Sequence, residues 1–117
     1  LINYNDVTEL GNRSRTYAYC ADSQYDEKII SYIENVDLIY HEATFLENMK
    51  DKAVKTKHST AKQAATIALK AKAKQLIIGH FSARYDSVEQ FSKEAKEIFN
   101  QTISAYDGYT HQLKAEN

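Results

Sequence analysis

Two short apolar runs, at residues 36–40 and 75–79, bracket a segment whose small apolar residues recur at helical spacing. Val36, Leu38, Ile39 and Tyr40 make the first run, and Leu76, Ile77 and Ile78 the second. Such runs mark buried strands of a parallel sheet. Between them, Thr60 and Gln63 stand at capping-box spacing, which predicts a helix from Ala61 to about Ala73. Its apolar face is Ala64, Ala65, Ile67, Ala68 and Ala71. Small side chains there let a helix pack closely on a sheet. Strands that alternate with helices predict an α/β layered fold with a largely parallel sheet.

The rest of the chain extends this pattern. Residues 1–16 are polar and aperiodic and read as an irregular or edge segment. The aromatic-rich stretch at 15–20 reads as a strand. Ile29, Ile30 and Ile33 give one helical face over 25–35, with Asp26 or Ser23 as cap. Residues 45–57 read as a polar, lysine-bearing loop that has room for a turn of helix. Val88, Phe91, Ala95, Ile98 and Phe99 predict a helix over 87–99. Residues 101–105 and 109–113 read as two strands about an Asp107-Gly108 turn.

At 117 residues, the chain can bury one core and not two. Its apolar share of 43% and charged share of 26% argue against disorder and coiled coil. No apolar run approaches the ~18–20 residues that span a bilayer, so no membrane association is expected. A single cysteine, Cys20, suits a reducing, cytoplasmic compartment. It lies inside a strand, which speaks against a catalytic role. The first residue is Leu1 and the sole methionine is Met49. Together these lead to the expectation of a processed or excised piece, without a signal peptide.

The formal net charge of −1 hides a strong asymmetry. From Met49 to Lys74, eight lysines stand against Asp51 alone, for a local charge of +7. The seven basic and fifteen acidic residues elsewhere give −8. A solvated helix face explains such a run as well as a phosphate-backbone contact does.

Polar residues gather where the predicted strands end, the edge where parallel sheets collect ligands. The strand ends run into Cys20-Ala21-Asp22-Ser23, His41-Glu42-Ala43-Thr44 and Gly79-His80-Phe81-Ser82. His58-Ser59-Thr60 opens the central helix. Singly, each has a bland reading: Asp22 as a helix cap, His41 and Glu42 as a structural pair, His58 and His80 as packed histidines. Jointly, two carboxylates and three histidines at one sheet edge could hold a divalent metal. Neither a Gly-x-Ser-x-Gly elbow nor a P-loop is present.

These segments, with His41-Glu42-Ala43-Thr44, His58-Ser59-Thr60 and Gly79-His80-Phe81-Ser82-Ala83-Arg84-Tyr85 in order, resemble ribonuclease Z. That family consists of tRNA 3′-processing endonucleases of the metallo-β-lactamase fold. The resemblance runs from about residue 13 to 113 and is nearest the short bacterial form. Ser23 stands where the family usually has Thr. The implied fold is the C-terminal half of an αββα sandwich, residues 17–117, with a mixed sheet and helices on one outer face. The N-terminal half, which would supply the remaining metal ligands, is not in this sequence, and neither is the family's His-x-His-x-Asp-His motif.

The resemblance implies roles for single residues. Asp22 and His80 match zinc ligands, in a site that holds two zinc ions when complete. His58 matches the histidine that protonates the leaving oxygen, and Glu42 the glutamate that orients it. Ser59, Thr60, Ser82 and Arg84 match the substrate-binding positions, where Arg is a bidentate phosphate donor. His41 would support the loop. The implied substrate is precursor tRNA, cut on the 3′ side of the discriminator base by zinc-bound hydroxide, in a cytoplasmic homodimer. With two ligands alone the isolated chain is expected to be inactive, and its uncovered sheet face is expected to self-associate. Two alternatives stand beside this one: another metallo-β-lactamase-fold phosphodiesterase, or a non-catalytic α/β interaction domain.

Overall fold

The computed structural model describes residues 2–6, 15–21 and 24–105. Five strands form one sheet in the order of the sequence: β1 (Ile2–Asp6), β2 (Arg15–Cys20), β3 (Leu38–Glu42), β4 (Gln75–Gly79) and β5 (Thr102–Ser104). β1 pairs antiparallel with β2, and the other three pairings are parallel. The sheet is therefore mixed, and residues 2–6 of the aperiodic start form its edge strand.

Parallel neighbours need a crossover, and crossovers are right-handed almost without exception. Three crossovers that step in one direction across the sheet place their helices on one face. These helices are α1 (Ile30–Ile33), α2 (Lys50–Thr56), α3 (Ala61–Lys70) and α4 (Glu89–Ile98). The register confirms the asymmetry. Ala18, Cys20, Ile39, Leu76 and Ile78 point to one side and join Ile33, Ala64, Ala65, Ile67, Ala68, Phe91 and Ala95 in a single core. The opposite side carries Tyr17, Tyr19, Leu38, Tyr40, Ile77 and Ile103. There Tyr19 is 48% exposed and stacks on Tyr40 at 5.0 Å between ring centroids.

Several elements differ from the sequence-based expectation. The helix expected over 25–35 is a 3₁₀ turn, Glu27–Ile29, followed by the single turn of α1. Asp26 caps it by accepting the Lys28 N–H at 2.9 Å. It stops because Asn35 turns left-handed (φ 61°) and donates its N–H to Ala71 across the core. α3 ends at Lys70, where Lys72 is left-handed (φ 58°) and Lys74 is drawn to the Val36 carbonyl. Residues 45–57 contain more than a turn of helix. After a 3₁₀ turn at Glu47–Met49, α2 runs for seven residues and Lys57 closes it with φ 62°. Lysine and alanine are good helix formers, and one buried residue, Ala53, anchors the helix. Ser23, the Asp107-Gly108 turn and the strand expected over 109–113 lie outside the described residues.

Candidate active site

β2, β3 and β4 run in parallel and end at one edge. Cys20 is in register with His41, and Glu42 with Gly79. The strands therefore present Glu42 and His80 side by side, and β2 reaches the same edge two residues before Asp22, which lies outside the described residues. His58 arrives from the other direction. Its N–H bonds to Ala53 at the end of α2, and Ser59 and Thr60 lead into α3. An isolated bridge between Phe45 and Thr60 fastens this loop to the end of β3.

Glu42 is the centre of the constellation. It is fully buried, so its charge requires partners. Oε1 lies 2.6 Å from His58 Nδ1. Oε2 accepts the Thr44 hydroxyl at 2.8 Å and the Ser59 N–H at 2.9 Å. A carboxylate facing Nδ1 draws the ring proton to that nitrogen and turns Nε2 of His58 outward.

Thr44 carries the logic to His80. Its single proton goes to Glu42, so at His80 Nδ1, 2.9 Å away, its oxygen must accept. His80 is thereby held in the tautomer that leaves the basic lone pair on Nε2. This is the form in which histidine ligates a metal, with the other ring nitrogen oriented by a hydrogen bond. His80 sits at φ 63°, in the left-handed region, directly after the end of β4. The His58 and His80 rings are 5.4 Å apart.

His41 points the opposite way, into the core. Its Nδ1–H donates to the Glu42 carbonyl at 2.8 Å, while Nε2 is buried with no partner. Burial pushes its pKa down, which keeps the ring neutral. It braces the backbone of Glu42 and has no access to a substrate. Burial also pushes the Cys20 thiol up to about 11, so it cannot serve as a nucleophile near neutrality.

No family model matches the chain. Known proteins do. Ribonuclease Z of Cytophaga hutchinsonii is 52% identical over 96 residues, which is 82% of this chain and 31% of that protein. Ribonuclease Z of Porphyromonas gingivalis (strain W83) is 48% identical over 99 residues, or 85% of this chain and 33% of its own. The chain is a relative of ribonuclease Z. It spans about a third of the length of the curated relatives it matches. A long form RNase Z from yeast superposes with a TM-score of 0.71 at 28% identity, covering 90% of this chain and 15% of the other. Human tRNase Z, short form, gives 0.59 at 27%, covering 90% and 35%. A metallo-β-lactamase fold protein of Bacillus subtilis gives 0.70 at 29%, covering 77% and 36%. The fold is accordingly of the metallo-β-lactamase type.

In this ribonuclease Z relative, the structure brings together Glu42, His58 and His80, each with a ligand atom within 4.8 Å of the others. These three could hold a metal ion. The donors favour a division of labour, however: Glu42 Oε1 and His58 Nδ1 face each other, whereas His80 Nδ1 is engaged by Thr44, which leaves Nε2 as its ligand atom. Ser82 is tied back to Thr44 through its N–H at 2.9 Å, and the Arg84 guanidinium lies 5.7 Å from the centroid of the Phe45 ring. Phe45 also stands edge-on to His58 at 6.4 Å. Both loop residues thus border the site.

Ser59 and Thr60 are placed differently. Both are fully buried. Thr60 donates to Glu47 at 2.7 Å and accepts from the Gln63 N–H at 3.1 Å, closing the capping box at the start of α3. The Ser59 N–H and the Thr60 hydroxyl thus help to shape the loop that carries His58 into α3. The residue that sequence reasoning left without a role is Thr44. Its place two residues after Glu42 was visible, but its contact with His80, 36 positions away, was not.

Proposed function

We propose that this chain is the portion of a tRNA 3′-processing endoribonuclease that delivers a proton to the leaving oxygen and supplies part of a zinc site. The observation that carries this reading is the 2.6 Å contact between buried Glu42 and half-buried His58, one ring away from His80. Curated relatives named ribonuclease Z and the tRNase Z structures support it.

In this reading His58 Nε2 gives its proton to the oxygen that departs as the P–O bond breaks. Glu42 holds the ring at Nδ1 and balances the positive charge of the imidazolium. Thr44 sets His80 to ligate, and Arg84 meets the phosphate from across Phe45. Zinc would be held by His80 and Asp22 together with further ligands from outside this chain, and would supply Lewis-acid polarisation and an activated water. A tight zinc site takes three or four protein ligands, so the 117-residue chain alone should not cleave RNA. The tyrosine-bearing sheet face should make that chain self-associate, visible as a rise in mass with concentration by light scattering.

A direct test is a chimera in which this chain replaces the matching segment of the Cytophaga hutchinsonii enzyme. It should cut a 3′-extended tRNA, and H58A should lower the rate about 10²-fold or more. An H58A chimera that cuts at the parental rate refutes the proton-donor role. A second reading is a phosphodiesterase of the same fold with a small substrate, since the Bacillus subtilis protein shares the fold under a name that carries no ribonuclease activity. A chimera that prefers bis-(p-nitrophenyl) phosphate over tRNA would select it.

A further inference from the structure

The basic run from Met49 to Lys74 does not form one surface. α3 has ten residues, a length of about 15 Å, and divides the run between its two ends. At the far end, Lys70 Nζ lies 2.8 Å from Glu27 and Lys74 Nζ 3.2 Å from Asp37. Much of the positive charge there is already met.

The end next to His58 is different. α2 carries Lys50, Lys52 and Lys55, and Lys57 is its left-handed cap, immediately before His58. All four are exposed. Lys50 lies 3.9 Å from Glu47. Among the described residues, Lys52, Lys55 and Lys57 form no ion pair. The only acid within α2 is Asp51, and the only residue of α2 that is buried is Ala53. The outward surface of a helix about 10 Å long, with its cap, therefore carries three lysines that form no ion pair among the described residues. Its end is joined to the residue that would donate the proton. Lysine clusters of this kind bind polyanions through counterion release, without reading sequence.

We infer that Lys52, Lys55 and Lys57 form an RNA-phosphate contact that seats the cleaved strand at His58, and that Lys70, Lys72 and Lys74 take no part in it. The inference rests on the reading that this site acts on RNA. It assigns the partner surface to one short helix and its cap, not to the whole basic segment.

The test is fluorescence anisotropy of this chain with a labelled 3′-extended tRNA, titrated between 50 and 300 mM KCl. The K52Q/K55Q/K57Q variant should reduce the log–log salt slope by about 2–3, at roughly 0.7–0.9 for each phosphate no longer neutralised. It should also weaken binding about tenfold or more at the lowest salt. K52R/K55R/K57R should keep the slope, and K70Q/K72Q/K74Q should stay within about twofold of the parent. Equal losses in both glutamine triples, an unchanged slope in the first, or no binding of RNA by the chain would overturn the inference. Binding of polyglutamate in preference to RNA would overturn it as well, in favour of a protein partner. Binding is read without cleavage. If the slope depends on the α2 lysines while the chimera fails to cut tRNA, the reading of the reaction fails and the contact surface stands.

Discussion

Glu42 Oε1 and His58 Nδ1 lie 2.6 Å apart, although one residue ends a strand and the other follows a helix sixteen positions later. The contact is held from both sides. Oε2 of the same carboxylate takes the Thr44 hydroxyl and the Ser59 N–H, so the strand end and the loop that carries His58 share one acceptor. Substituting E42Q keeps the volume but removes an acceptor for three donors. The chimera should lose about 10²-fold in cleavage. The chain should lose about 1–3 kcal/mol in urea denaturation. In ¹⁵N NMR, the downfield proton expected on His58 Nδ1 should disappear; its persistence in E42Q would rule the pairing out.

Thr44 connects the pair to His80. T44V preserves shape and deletes the bridge, leaving His80 Nδ1 without the oxygen at 2.9 Å. The tautomer should then shift toward a mixture, seen as converging ¹⁵N shifts of the two ring nitrogens, whereas T44S should retain the parent spectrum. Zinc affinity of the chimera should fall about 10–100-fold in T44V.

His41 makes stability depend on pH in a defined direction. Its folded pKa lies below the ordinary value of 6.5 because burial disfavours the charged ring. Below 6.5 the unfolded chain therefore binds a proton that the folded chain refuses. Stability should be constant with respect to this group above about pH 6.5. Below that it should fall with a slope of up to about 1.4 kcal/mol per pH unit. Urea midpoints between pH 5 and 7.5 measure it, and H41L should flatten the acidic limb.

Gly79 lies against the Tyr40 ring. A Cβ there would stand 3.0 Å from Cζ and 3.2 Å from Cε2 of that ring, as well as striking its hydroxyl. G79A should cost about 1–3 kcal/mol through displacement of Tyr40 from its stack on Tyr19. The strand end that carries His80 should shift with it. In a Y40A background the same substitution should be nearly neutral, since the clash is pairwise.

Much of this protein was legible in its sequence because the signals are local. The apolar runs of β3 and β4, the capping box at Thr60 and Gln63, and the alanine face of α3 each depend on neighbours a few residues away. Strand and helix alternation then restricts the sheet to parallel crossovers, and the strand ends to one edge. The motifs at that edge were readable as a set for the same reason.

What only the tertiary structure decided depends on contacts between distant residues. α2 is a helix although its segment has little apolar periodicity, because burial of Ala53 and the left-handed turn at Lys57 complete it. Thr60 closes the expected cap and also donates to Glu47, a contact thirteen positions away that no local pattern announces. The eight lysines between Met49 and Lys74 read as one charged run, yet Lys70 and Lys74 meet acids of the crossover between β2 and β3 while those of α2 are exposed beside His58. Register and crossover place such partners in space, and sequence spacing alone carries no record of them.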